Sequence, residues 1–318
     1  MLYVNADLWR PNHDPWPDLP LNAWSDTYAT LHRWLQIVGK IRMTLSPPTN
    51  HWWHCTLFVT PRGLTTTSIP YRNGAFQIDF DFIDHQLLIT ASTGHRRCFP
   101  LRDHSVAAFY HELRETLAGL GIQVQIRPVP DEVPDRTPFY DDELHATYDP
   151  GCAERCWRIL LQADRVLRQF RSGFVGKCSP VQLFWGSFDL AVTRFSGRRA
   201  PERPGADAVE REAYSHEQIS CGFWPGSPPL TGPAFYAYSV PSPPGLEEAP
   251  IEPEGAYFSR HFSEFILPYD VVREARDPDA AVHRFLESTY EHAARMAGWD
   301  RALLERHGRP DQPVSAAA

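Results

Sequence analysis

The block Leu183 to Arg198 (LFWGSFDLAVTRFSGR) sets Ser187, Asp189, Arg194 and Arg198 into an otherwise apolar and aromatic run. Read as one strand over 181–196, it puts Leu183, Trp185, Ser187, Asp189, Ala191 and Thr193 on one face. Phe184, Gly186, Phe188, Leu190, Val192 and Arg194 fall on the other, the apolar face that should meet helices. Ser187 and Asp189 beside Trp185 suit the floor of a polar cavity. A buried carboxylate needs a partner, because desolvating an isolated charge is too costly. An ion pair from Asp189 to Arg62 or Arg198 is the structural alternative to a chemical role. Gly186 between aromatics marks close approach by a ligand or another backbone.

Tyr214-Ser215-His216-Glu217 is the second chemically capable stretch. Neighbours on a strand face opposite ways, so His216 and Glu217 share a site only at a bulge or turn. His216 is the candidate acid/base, with Asp189 orienting and Glu217 beside it; Trp224 closes the strand with an aromatic wall. His32, Gln36 and Lys40 recur every four residues on a helix, either as a solvated stripe or as donors lining a cleft. His51, between Asn50 and Trp52, could join them. Lys40, Arg62, Lys177, Arg194 and Arg198 lie near the ends of two Trp-containing segments. They predict a carboxylate or phosphate ligand held near Arg194 and His216, since guanidinium groups grip both bidentately. Metal ligation is the competing chemistry: His51, Asp189, His216 and Glu217 are suitable types. However, no HxH, HxxxH or HExxH spacing supports it, so no metal ligand is assigned. Without GxGxxG, GxxxxGK[ST] or GxSxG there is no motif for a dinucleotide, a P-loop nucleotide or a hydrolase elbow. The cofactor stays open.

The elements that must position these residues read as two similar halves. A helix at 26–43, with Asp26 as N-cap, precedes strands at 52–60, 75–83 and 86–92, a helix at 104–120 and a short strand at 122–127. A helix at 152–171 precedes strands at 181–196, 216–223, 234–240 and about 260–267, then a helix near 279–297. Val-Gly-Lys ends the opening helix of both halves (38–40 and 175–177), and Ser-Pro follows each time (46–47 and 179–180). This predicts an α+β fold: two antiparallel sheets flanked by helices, related by an approximate two-fold from a degenerate internal duplication. The expected organisation is a first half over 1–127, a Pro-rich linker over 128–147 and a second half over 148–318. Prolines cluster at 128–138, 201–204, 225–233 and 241–253, in loops long enough to be functional.

The motifs also carry a resemblance. Leu31 to Lys40, Asn50 to Trp53, Lys177 to Arg198 and Tyr214 to Gly226 resemble the bacterial proteins grouped as DUF5996, a family of unknown function. The resemblance spans nearly the whole chain and implies no activity, cofactor or catalytic residue.

Composition narrows the classes. The 318 residues are 42% apolar and 22% charged, with a formal charge of −8. That balance argues against nucleic-acid binding, which needs a basic face. No apolar run reaches a membrane span, and the N-terminus lacks the pattern of a signal peptide. Six cysteines without a paired framework read as reduced thiols in a cytoplasmic protein. The leading functional expectation is an enzyme acting on a small anionic or aromatic metabolite between the halves by His/carboxylate chemistry. A metal-dependent version of that site is the first alternative, and a non-catalytic ligand-binding or interaction module is the second.

Overall fold

A computed structural model describes residues 14–226, 230 and 232–306. The extreme N-terminal stretch, the chain end beyond 306 and part of the 225–233 proline cluster lie outside the described residues.

The first half begins with α1 (Leu21–Leu45). Pro20, not Asp26, occupies its N-cap, because the apolar stripe of this helix reaches back to Trp24. A meander follows: β1 (Phe58–Thr60), β2 (Gly63–Thr65), β3 (Ile69–Tyr71), β4 (Gly74–Asp81), β5 (Gln86–Ala91) and β6 (Arg96–Pro100). Sheet order is β1-β2-β4-β5-β6, with β3 also on β4. Then comes α2 (Val106–Gly119), capped by Ser105, which accepts from the Ala108 N–H at 3.1 Å. The segment expected as a strand at 52–60 opens instead with a 3-10 turn at Asn50–Trp52. The stretch at 122–127 makes no ladder.

The second half begins with α3 (Pro150–Ser172), started by the Asp149 cap and Pro150. Next are β7 (Gln182–Phe184), β8 (Asp189–Arg199), α4 (Ala208–Ala213), β9 (His216–Trp224), β10 (Ala234–Val240), β11 (Tyr257–Ser259) and β12 (Glu264–Pro268). The antiparallel order is β11-β12-β10-β9-β8-β7. The chain continues through α5 (Tyr269–Arg273), α6 (Pro278–Met296) and α7 (Arg301–Leu304). Among the described residues no helix is long and apolar enough to cross a membrane.

The fold is therefore α+β with two antiparallel sheets, and helix–meander–helix order recurs. The sequence echoes do not mark equivalent places, however. Val38-Gly39-Lys40 lies inside α1, whereas Val175-Gly176-Lys177 follows α3 by several residues. Those motifs thus give no structural support to a duplication.

The sheets meet edge to edge. Leu57 and Leu183 exchange both backbone bonds (2.9 and 2.8 Å) and are fully buried. Thr56 Oγ1 donates to Gln182 Oε1 at 2.9 Å beside them. One apolar cluster runs through α1, α2, α3, α6 and a face of each sheet. The 128–147 segment packs onto α1: Phe139 is fully buried, Arg33 pairs with Asp142 at 3.2 Å and Lys40 with Asp131.

Candidate functional site

The 181–196 run is a hairpin, not one strand. Residues 185–188 turn the chain, Phe188 is left-handed (φ 58°), and Phe184 pairs with Asp189 across the turn. The turn reverses the expected parity, so Leu183 sits in the core beside Leu190 instead of sharing a face with Asp189. Ser187 and Asp189 do remain together. Trp185 leaves the sheet and lies flat on α1 over Gly39, where any Cβ would collide with its ring. Its indole N–H donates to the Cys55 carbonyl at 2.7 Å.

On β8, Leu190, Val192 and Arg194 face the helices, as alternation requires. The opposite face of the second sheet has a floor of Ala191, Gly222, Ala234 and Ile266, all buried. Half-exposed Phe184, Trp224, Tyr238 and Phe262 rim it. Asp189 stands at one end of this face. Tyr236 and Ser187 donate hydroxyl protons to its two carboxylate oxygens. Tyr236 reaches across because Gly222 lies beneath it: a Cβ there would stand 2.6 Å from the phenol oxygen. Tyr28, on α1, stacks on Phe188 at 5.2 Å.

Two further carboxylates act on Asp189. Glu264 lies on this face, two residues from Ile266. Burial, then repulsion from Asp189, pushes its carboxyl up to about 7. Glu132, on the 128–147 segment, sits over Gly186 and is raised by burial and by Asp189. Asp189 itself is raised by burial, opposed only by its hydroxyl partners and a backbone bond. Among the described residues no cation pairs with it. Arg62 instead holds Asp81 and Asp84, at 2.6 Å each, and Arg198 holds Glu217 at 2.7 Å. This is a proton-holding arrangement: a carboxylate above its ordinary range, two hydroxyls and a second carboxyl that titrates near neutrality. Tyr28, Glu132, Tyr236 and Glu264 were not singled out from sequence. The alternation of Ala234, Tyr236 and Tyr238 in the β10 segment was the signal for Tyr236; nothing local marks the other three.

The remaining candidates divide elsewhere. His216 pairs with Arg199 at the far end of β9 from Trp224. Eight strand residues at roughly 3.3 Å each separate it from the Asp189 end by about 25 Å. The expected His216–Asp189 pairing is thus overturned, and with it the ligand set His51, Asp189, His216 and Glu217. No group of three potential ligands gathers among the described residues. Glu217 is tied to Ser196 and Arg198. Arg194 is fully enclosed on the helix side: it stacks 3.4 Å from the Phe170 centroid and donates to the Phe170 carbonyl. An anion between Arg194 and His216 is therefore excluded by their opposite faces.

His32, Gln36 and Lys40 are buried fasteners. His32 Nε2–H donates to the Trp185 and Gly186 carbonyls, 2.9 Å each, and burial pushes its pKa down to about 4. Gln36 grips the Asp131 backbone through both amide atoms, at 2.7 and 2.8 Å. His51 and Lys177 do meet, with Lys177 Nζ 2.6 Å from His51 Nε2 and His216 beside them. A groove of about 640 Å³ near Trp16 collects Arg165, Arg273, Arg276, Asp277 and Asp279, with Arg165 paired to Asp279 and Arg273 to Asp270.

No curated protein and no solved structure matches the chain. A family model described as a family of unknown function, DUF5996, matches residues 16–306, and the chain therefore belongs to that family.

Proposed function

We propose that the protein is a cytoplasmic enzyme that binds a small molecule on this face of the second sheet and moves a proton with Asp189. One observation carries the reading. The Asp189 carboxylate is held by neutral groups, two hydroxyls and a backbone N–H, and sits at the end of an apolar face flanked by aromatics. A purely structural aspartate would be expected to hold a cation or a helix N-terminus. Asp189 would be the base, Tyr236 and Ser187 would position its lone pairs, and Glu264 would set the local charge. Trp224 and Tyr238 supply faces on which a flat or cationic group packs. That no cation lies against it among the described residues argues for a neutral or amine-bearing ligand at this position, rather than the anion inferred from sequence. Six free thiols fit a reducing compartment.

Thermal-shift screening with neutral, cationic and anionic aromatic compounds tests the reading. Aromatic amines should stabilise the wild type and lose that effect in Asp189→Asn and Trp224→Ala. Stabilisation that survives in Asp189→Asn would reject it. Mass analysis of a stabilising compound after incubation separates turnover from the non-catalytic binding module.

A further inference from the structure

The far end of the same face holds a second constellation, independent of Asp189. His51 is 5% exposed and fixed between Phe195 (centroids 4.6 Å) and Trp53 (5.3 Å). Its Nδ1–H donates to the Ala213 carbonyl at 3.1 Å, leaving the Nε2 lone pair to accept from Lys177. Lys177 is exposed and stands over Phe195 (4.8 Å) and Trp53 (5.7 Å). No carboxylate pairs with it among the described residues. The His216 ring meets His51 edge-on at 5.6 Å. The Ser215 hydroxyl gives its proton to the Glu212 carbonyl, so at 3.0 Å it accepts from His216 Nδ1–H. His216 Nε2 then has no hydrogen bond among the described residues, and Arg199 is level with this ring in the ladder.

The backbone is irregular at the same place. His51 and Trp52 are both left-handed (φ 57° and 61°), and the β8–β9 register shifts between Phe195 and Arg199, around Gly197 (φ 88°). Left-handed non-glycine residues and bulges cost stability and recur at functional sites. Here they hold an imidazole under an ammonium and turn Arg199 to the His216 level.

We infer that Lys177, Arg199 and His216, seated on His51, form a binding site for a small oxyanion, a phosphate or carboxylate group. Lys177 and Arg199 supply fixed charge, and His216 supplies a proton-dependent donor. The other charged or titratable groups at this corner are few. Glu212 accepts from the His51 backbone N–H at 3.2 Å, His54 accepts from the Thr49 N–H, and Glu217 is bound to Arg198 and Ser196. Burial first, then Lys177, holds both His51 and His216 below the ordinary histidine value; Arg199 adds to the effect on His216. An anion reverses that repulsion, so binding takes up protons and tightens as pH falls.

Inorganic sulfate, a dianion whose charge is constant over this range, is the probe, with chloride at equal ionic strength as control. Histidine ring NMR should show the His216 titration moving up by half a unit or more with sulfate and not with chloride. Sulfate affinity should fall at least tenfold in Lys177→Gln, and its pH dependence should flatten in His216→Gln. Asp189→Asn should leave both effects intact, which separates this site from the proposed active site. Equal shifts with chloride, or wild-type sulfate affinity in Lys177→Gln, would overturn the inference. Because Lys177 is exposed, that variant is expected to fold; circular dichroism of the variant checks this, and Arg199→Gln provides the second arm.

Discussion

At Asp189 the decisive fact is that no cation pairs with it among the described residues. With a raised folded-state pKa, its ionisation opposes folding: its stabilising contribution is full below the unfolded value and lost as pH rises through the folded one. Asp189→Asn should therefore keep neutral-pH stability within about 1 kcal/mol of wild type, or above it, while binding is lost. An aspartate in a buried ion pair would instead cost about 3–5 kcal/mol on removal of its charge. Chemical denaturation at pH 7 distinguishes the two. Arg194 is the opposite case. It fills space between Phe170 and Tyr290 on the helix side, so Arg194→Ala should lower stability by about 2–4 kcal/mol, as a large-to-small core change does. It should leave sulfate binding at Lys177 unchanged once the variant is held below its melting temperature.

At the scale of elements, α1 is the organiser. One face docks the 128–147 segment through Arg33, Gln36 and Lys40, and also ties the 185–188 turn through His32. Gly39 is where Trp185 approaches the helix. Helix propensity alone would make Gly39→Ala stabilising by about 1 kcal/mol. The clash with the indole reverses that sign. Overpacking of about 1–3 kcal/mol, with loss of the Trp185 bond to the Cys55 carbonyl at about 1 kcal/mol, should leave the variant about 1–3 kcal/mol less stable. An increase in melting temperature would show that Trp185 does not need that approach.

For the whole molecule, one apolar cluster spans both halves, and the sheets share the Leu57–Leu183 bridge. Unfolding by urea should therefore be a single cooperative transition by fluorescence and circular dichroism alike. Two resolved transitions would instead make 1–127 and 148–318 separate folding units. Glu264 adds a pH signature. Its pKa rises from 4.5 to about 7, so the stability it contributes is full below 4.5 and lost as pH rises through 7. Glu264→Gln should flatten the melting temperature across that window, raising it more at pH 8 than at pH 5. Ligand affinity for an amine should rise through pH 7 in the wild type and lose that step in the variant.

The sequence by itself determined the elements and the chemistry available. Helical stripes and strand-forming runs follow from local periodicity, which a neighbour-free reading can see, although the cap read at Asp26 lies inside α1. It also set Ser187 and Asp189 together, though with Trp185, which the structure lays on α1 instead, and named His51, Lys177, His216 and Trp224 as capable residues. Only the tertiary structure decided which of these meet. A left-handed residue at Phe188 turned one expected strand into a hairpin, and pairing then placed Asp189 and His216 at opposite ends of β8–β9. Glu132 and Glu264 joined Asp189 from segments far away in the chain. Periodicity fixes which way a side chain points along its own element, but convergence depends on register, turn conformation and the docking of distant segments, which carry no local signal.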